Sequence, residues 1–315
     1  MLKYYCWAAA EKVLSIVPFG RYVYRGAALV ANANGRSKRR LCGCGTAYEL
    51  VRKARQMAPD GGTILDVGTG WHHHEAVLLY LTGGNYKVYL FDIVDIARLS
   101  YIHTYFAYLL ENLDTVAHEL GIEKQAAREK LQYLMTLQSR EEIYRACNFE
   151  SLITMATDKP FLPNQSVDFM VSNCVLTHIP PTIVEPELRA LAQMLKPGGA
   201  MYMMVGHEDH WAFHDRSANQ FNYYRYSDKR YRMLFDTKFE YQNRMVKSEW
   251  LPIIKRAGLE LVSYYPHITD ESRQAVRSLP HIDERFAGYP LDELATLHSY
   301  FLLTHAHSTS PQVAP

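Results

Sequence analysis

Apolar residues in this chain gather into short runs, each stopped by a glycine, an acid or a polar residue. Helical spacing fills the stretches between them. Ile64-Leu-Asp-Val67 is one such run, ending at Gly68-Thr-Gly70, and Val88-Tyr-Leu-Phe-Asp92 is a second. Ser151–Met155, Val167–Cys174 and Ala200–Val205 follow, and Leu259–Tyr265 and Thr296–His305 complete the set. Runs of this length, rich in β-formers, predict buried strands. Ala97–Leu110, Glu123–Leu137 and Ser248–Ala257 predict helices, the last with Gly258 as its C-cap. Leu195-Lys-Pro-Gly-Gly199 ends a helix and reverses the chain, because Pro197 cannot continue it. Strands alternating with helices make a doubly wound α/β sheet. The interval from Asp92 to Phe149 is too long for a simple crossover and predicts an added helical layer over 96–148.

The turn after the first run carries the first chemistry. Gly68 and Gly70 let the backbone bend sharply and approach a ligand, and a helix from about Trp71 would aim its amides at it. Asp92 ends the next strand about 20 residues further on, where an acid accepts from both hydroxyls of a ribose. The alternative for Asp92 is a helix N-cap. A dinucleotide needs a third glycine and room for a pyrophosphate, but Gly70 is followed by Trp71-His-His-His74. Asp66, just before the turn, suits a cationic ligand. An adenosine with a positively charged amino-acid tail, S-adenosylmethionine, meets both demands.

With those residues in place, the chain resembles the class I S-adenosylmethionine-dependent methyltransferases over about 60–206 and again over 248–305. Ile64–Gly70 is similar to their first motif, Asp92 to their ribose-binding acid, Phe161–Ile179 to their fourth-strand motif and Met194–Met204 to their fifth strand with its turn. The resemblance implies a Rossmann-like, doubly wound seven-stranded sheet with an antiparallel last strand, plus helical insertions. It also implies cofactor contacts from Asp66, Gly68, Thr69, Gly70, Trp71, Asp92, Ile93, Asn173, Cys174 and His178. Asp158 reads either as a partner for the adenine amino group or as a surface-turn acid. His72 departs from the family, which carries a third glycine or a small residue there.

Beyond the fifth strand comes His207-Glu-Asp-His210-Trp-Ala-Phe-His214-Asp215. Loops at that end of such a sheet carry function. His210 with Asp209, and His214 with Asp215, read as candidate bases for a hydroxyl proton. The same cluster reads alternatively as ligands for a divalent metal or as polar loop residues, and no metal is assigned. Asn219–Arg232 then interleaves aromatics with Arg225, Lys229, Arg230 and Arg232, as a lid over a polar or anionic acceptor would. His207, Tyr224, Arg225, Tyr226 and Arg244 are the candidate acceptor contacts. This stretch is similar to a lid in methyltransferases encoded with bacterial surface-polysaccharide genes. The matching pieces are Asp209-His210, Phe213-His-Asp215, Arg225-Tyr-Ser-Asp228 and Gln242-Asn-Arg244. That resemblance implies a small-molecule or glycan acceptor methylated at oxygen.

Composition narrows the alternatives. The 315 residues carry 34 Lys and Arg against 33 Asp and Glu, a formal charge of +1, so a nucleic-acid partner is not favoured. The 5 cysteines form no disulfide framework and read as reduced thiols of a cytoplasmic protein. Cys42-Gly-Cys44 is too small for a structural zinc site, which wants four ligands. Met1–Val30 is too interrupted to span a bilayer and reads as a helical cap over the cofactor site, with peripheral contact to a membrane face as the alternative. Ser37-Lys-Arg-Arg40 reads as a solvated basic loop. The predicted organisation is a cap at 1–58, a cofactor-binding core at 59–206, a lid at 207–247, the rest of the core at 248–306 and a disordered tail at 307–315. The rival functions are an RNA or protein methyltransferase, a nicotinamide-dependent reductase and a non-catalytic scaffold.

Overall fold

The structure, a computed structural model, describes residues 2–20, 22–23, 26, 45–215 and 217–306. Cys42, Cys44, the 37–40 basic run and the 307–315 tail lie outside the described residues. Seven strands form one sheet: β1 (Thr63–Val67), β2 (Lys87–Asp92), β3 (Phe149–Ile153), β4 (Val167–Asn173), β5 (Leu195–Gly206), β6 (Leu259–His267) and β7 (His298–His305). Their order is β3-β2-β1-β4-β5-β7-β6, and β7 runs antiparallel to both β5 and β6. This is the Rossmann-like sheet with an antiparallel last strand that the run pattern and its resemblance predict. The third strand begins two residues earlier than expected. Asn148 takes a left-handed φ of 58° to end the preceding helix, and Phe149 registers against Val88. The last strand begins at His298 because Leu297 still donates its amide to the His267 carbonyl at the corner.

Side chains alternate across the sheet, and each face is covered. Ile64, Val88, Leu90, Phe169 and Val171 face one hydrophobic layer; Leu65, Val67, Phe91 and Met170 face the other. The first layer is built by α2 (Gly45–Met57), α3 (His74–Thr82) and the insertion. The insertion folds as α4 (Leu99–Glu111), α5 (Leu113–Leu120), α6 (Lys124–Thr136) and α7 (Arg140–Cys147). The second layer is α8 (Pro181–Met194) and α10 (Lys247–Arg256), with α9 (Asp228–Leu234) elsewhere, in the lid.

The three histidines after the glycine turn belong to this packing. His73 holds a left-handed φ of 54°, with Nδ1 on the Thr69 hydroxyl at 2.8 Å and Nε2 on the Tyr144 hydroxyl of α7 at 2.9 Å. His74 lies against Tyr105 of α4, ring centroids 4.5 Å apart, and its Nε2 has no hydrogen-bond partner. Burial, reinforced by nearby positive charge, pushes both imidazoles down to about 3, so they fold neutral.

The 207–247 segment, expected as a lid, packs around a hydrophobic core of its own. Trp211, Phe221, Tyr223, Tyr224, Tyr231 and Phe235 are buried together with Tyr4 and Ala8 of α1 (Leu2–Ile16). The N-terminal helix therefore lies on the lid rather than over the glycine turn. Its Tyr4 hydroxyl donates to the buried Asp209 carboxylate at 2.7 Å, and Trp7 stacks on His214 at 5.1 Å. Exposed Leu2, Val13, Ile16 and Phe19 line its outer side. Among the described residues no helix is long and apolar enough to cross a membrane. Cys6, Cys147 and Cys174 are free thiols.

Two stability measurements follow from these contacts. Tyr4→Phe strands a buried carboxylate oxygen and should cost about 1–3 kcal/mol in denaturant unfolding. A cost near zero would show that α1 is not held through Asp209. An unfolded histidine protonates near 6.5 and folded His74 near 3, so the unfolded chain binds the extra proton in between. The stability His74 leaves intact at neutral pH is thus lost as pH falls below that unfolded value. His74→Phe should flatten the acid limb, losing roughly 2 kcal/mol less than the parent between about pH 7 and about pH 5. Parallel curves for the two proteins would refute the assignment.

Candidate functional site

The end of β1 makes the turn that places everything else. Gly68 and Thr69 donate their amides to the Phe91 carbonyl at 2.8 and 3.0 Å, which ties the turn to β2. Gly68 has a φ of +76°, and a Cβ there would lie 2.2 Å from a Val175 methyl. Gly70, at φ +65°, donates to Asp92 Oδ2 at 3.1 Å, while Asp92 Oδ1 takes the Val94 amide at 3.2 Å. Asp92 thus closes the turn and keeps acceptor capacity on both oxygens. Ile93 is 47 % exposed beside it, an apolar surface for a flat ring. Trp71 stands edge-on to Tyr101 at 5.5 Å. Asp158 is exposed in the turn beyond β3, with no contact that ties it to this site.

Below the turn lie two buried carboxyls, of which the sequence pattern points to one. Asp66 is 2 % exposed, and its Oδ2 has no hydrogen-bond partner. Glu75, buried in the first turn of α3, takes the Asn173 amide at 2.5 Å. Burial raises the pKa of both carboxyls, and at Asp66 the charges of Glu75 and Asp92 add to it. Glu75 was missed because an acid in a helix's first turn reads as a complement to the helix dipole. Two adjacent buried carboxyls with one orphaned oxygen fit the ammonium group of S-adenosylmethionine. The bulky histidines do not obstruct it, since His72, His73 and His74 are held among the insertion helices.

A second cluster lies one 3-10 turn away. Val175 packs on Gly68, and Leu176–His178 coil directly after it. His178 brings its ring within 4.9 Å of the His210 ring, centroid to centroid. His210 Nδ1 meets Glu240 Oε1 at 2.8 Å, and His178 Nδ1 lies 3.5 Å from the same oxygen. Burial works against ionisation of Glu240, but the bond from His210 and the charges of His210, His178 and His214 outweigh it and hold the carboxyl below its usual value. Glu240 escaped the sequence reading because it stands 30 residues from His210, and no local spacing links them. Cys174, at φ 59°, is turned inward against Gly206, and burial pushes its thiol up to about 12.

Several residues expected at the acceptor prove to hold the lid together. Asp209 does not orient His210: it is fully buried, takes the Tyr4 hydroxyl and caps the Trp211 amide at 3.0 Å. His214 stacks on Trp7, and Asp215 takes the Tyr4 amide at 3.2 Å and the Ser217 hydroxyl at 2.7 Å. His207 is buried against the Ser299 hydroxyl at 2.8 Å, joining β5 to β7. Tyr224 is enclosed by Tyr223 and Phe286. Arg244 is buried too, donating to the Tyr223 and Tyr226 carbonyls at 2.9 and 2.7 Å and to Asp228 at 2.5 Å. Tyr226 shares its hydroxyl with Tyr5 at 2.6 Å. Arg225, half-buried, donates to Asn222 at 3.0 Å and leaves its Nε without a partner. Most of these side chains, expected at the acceptor, are instead spent on the interior of the 207–247 segment.

Calorimetric titration with S-adenosylhomocysteine tests the cofactor side. Asp92→Ala should weaken binding by about 1.5–3 kcal/mol, and Gly68→Ala, which drives a Cβ into Val175, should weaken it further. Unchanged affinity in folded variants would remove both residues from the site.

The methyltransferase-domain family matches residues 37–264. No curated protein matches the sequence. Among solved structures, a TehB-like S-adenosylmethionine-dependent methyltransferase from Corynebacterium glutamicum is 13% identical, with 88% of this chain and 98% of that chain covered and a TM-score of 0.43. A Methanosarcina mazei S-adenosylmethionine-dependent methyltransferase is 14% identical, at 80% and 95% coverage and a TM-score of 0.42. The geranyl diphosphate C-methyltransferase of Streptomyces coelicolor is 10% identical, at 81% and 76% coverage and 0.42. Likenesses this distant carry no argument about substrate. The domain match spans the glycine turn, Asp92, the fourth-strand motif and the 207–247 segment, and the chain belongs to the methyltransferase-domain family as a class I S-adenosylmethionine-dependent methyltransferase.

Proposed function

We propose that the acceptor is a small molecule or glycan and that the methyl group goes to a hydroxyl oxygen. The observation that carries this reading is the His178–His210–Glu240 cluster, one turn of chain from Gly68 and Val175. S-adenosylmethionine supplies an electrophilic methyl on a sulfonium. The protein's part is to hold the acceptor in line with that methyl and to draw off its proton. Asp92 and Ile93 would receive the adenosine, Asp66 with Glu75 the ammonium group, and the cluster the acceptor hydroxyl. Arg244 and the Tyr223–Tyr224 pair are committed to the interior of the 207–247 segment, while His178 follows Val175 by one 3-10 turn and its ring meets that of His210.

Release of S-adenosylhomocysteine, measured across a panel of hydroxyl-bearing sugars and phenols, tests this. His210→Ala and Glu240→Gln should keep homocysteine-product affinity and lose roughly 100- to 10,000-fold in turnover, the range of a positioned proton acceptor. Full turnover in either variant, or activity confined to amine acceptors, would sink the oxygen reading.

A further inference from the structure

The cluster supports a sharper reading, which rests on the acceptor site just described. We propose that His178, His210 and Glu240 bind one divalent transition-metal ion of the zinc class, leaving a coordination position for the acceptor oxygen. One ligand atom from each residue lies within 4.8 Å of the other two, the one such grouping among the described residues. Two imidazoles and one carboxylate form a three-ligand set that leaves a fourth position open, as catalytic zinc sites do. Mixed nitrogen and oxygen donors favour an ion of that class over magnesium or calcium, which take oxygen sets.

The geometry asks for little movement. Bonds of about 2.0–2.1 Å in a tetrahedron set ligand atoms about 3.3 Å apart. The observed separations from Glu240 Oε1 are 2.8 Å to His210 Nδ1 and 3.5 Å to His178 Nδ1. Both ring-bearing segments are already braced by the 241–243 segment. The Gln242 carbonyl-type oxygen takes the His210 amide at 3.2 Å, and the Gln242 side-chain amide donates to the Glu208 carbonyl at 2.6 Å. The Asn243 amide donates to the Thr177 carbonyl at 2.9 Å, and the Tyr241 carbonyl meets His178 Nδ1 at 3.0 Å. The Tyr241 carbonyl occupies His178 Nδ1, so His178 would coordinate through Nδ1 only by releasing that carbonyl, and otherwise through Nε2, with the Nδ1 contact then orienting the ring.

Charge supplies the independent observation. Glu11 of α1 is 5 % exposed, its Oε2 has no partner, and it feels the charge of Glu240. Among the described residues no lysine or arginine ion-pairs with Glu11 or Glu240; the cations beside Glu240 are imidazoles. An unpartnered buried carboxylate oxygen that feels the charge of Glu240 favours a cation at this cluster. In the resulting step the acceptor hydroxyl binds the ion and releases its proton to solvent. Its oxygen lone pair forms the new bond to the methyl carbon, and the sulfur–carbon pair stays on sulfur, giving neutral S-adenosylhomocysteine. The ion's oxidation state does not change.

The test uses the full-length protein, stripped with a chelator and titrated with zinc by calorimetry and with cobalt(II) by absorption. The expected result is one ion per chain and a tetrahedral cobalt spectrum. Glu240→Gln and His178→Ala should each weaken binding at least about tenfold, while His281→Ala, away from the cluster, should leave it unchanged. S-adenosylhomocysteine affinity, measured on the same samples, reports folding and cofactor binding separately. No stoichiometric ion in protein that binds the homocysteine product overturns the proposal, and His210-dependent turnover would then belong to the bare His210–Glu240 pair. Ion binding unchanged in both ligand variants also overturns it. Ion binding without binding of the homocysteine product supports the metal site and refutes the methyltransferase reading instead.

Discussion

A left-handed backbone at Gly68, with Val175 filling the space where a side chain would begin, is the constraint on which the rest of the molecule depends. It ends β1 abruptly and aims the next peptides at the Phe91 carbonyl and the Asp92 carboxylate. It also fixes Val175, and so the coil that carries His178 toward His210. The Asp92 contacts and the placement of His178 are thus two readouts of one turn. A residue with a Cβ would strain the backbone and collide with Val175 together.

The core was legible because its signals are local. A run that ends Asp66-Val-Gly-Thr-Gly70 states strand, stop and turn within seven letters, and Asp92 follows at the spacing of one helix and one strand. The insertion was legible as helix from its periodicity, but not as the anchor of His73 and His74, which needed Tyr144 and Tyr105 in place. The lid was the least legible part. Its Arg and Tyr residues read as contacts to an acceptor, whereas Arg244 is buried over the Tyr231 ring at 4.2 Å with three oxygen partners. A sequence shows that a residue is charged, and only the fold shows which oxygens surround it.

Buried carboxyls recur on both sides of the turn. Asp66 and Glu75 lie below the turn, Glu11 and the half-buried Glu240 on the side of the His178–His210 cluster, and Asp209 within the 207–247 segment. Glu75 takes the Asn173 amide, Glu240 takes His210 Nδ1, and Asp209 takes the Tyr4 hydroxyl and the Trp211 amide, whereas Asp66 Oδ2 and Glu11 Oε2 have no partner. Unsatisfied buried charge is costly, so carboxyls left this way mark the places where something else is meant to bind.

The position of β7 sets the order in which the chain can finish. β6 pairs with β7, and β7 in turn lies between β6 and β5. Until residues 298–305 have left the ribosome, β6 has no partner and the long apolar edge of β5 stays open. The nascent chain must therefore carry an exposed strand edge through the whole synthesis of its lid, a period in which association with another chain competes with folding. Final closure waits for the last strand, and that makes the C-terminal end, far from the glycine turn in sequence, the step that commits the sheet.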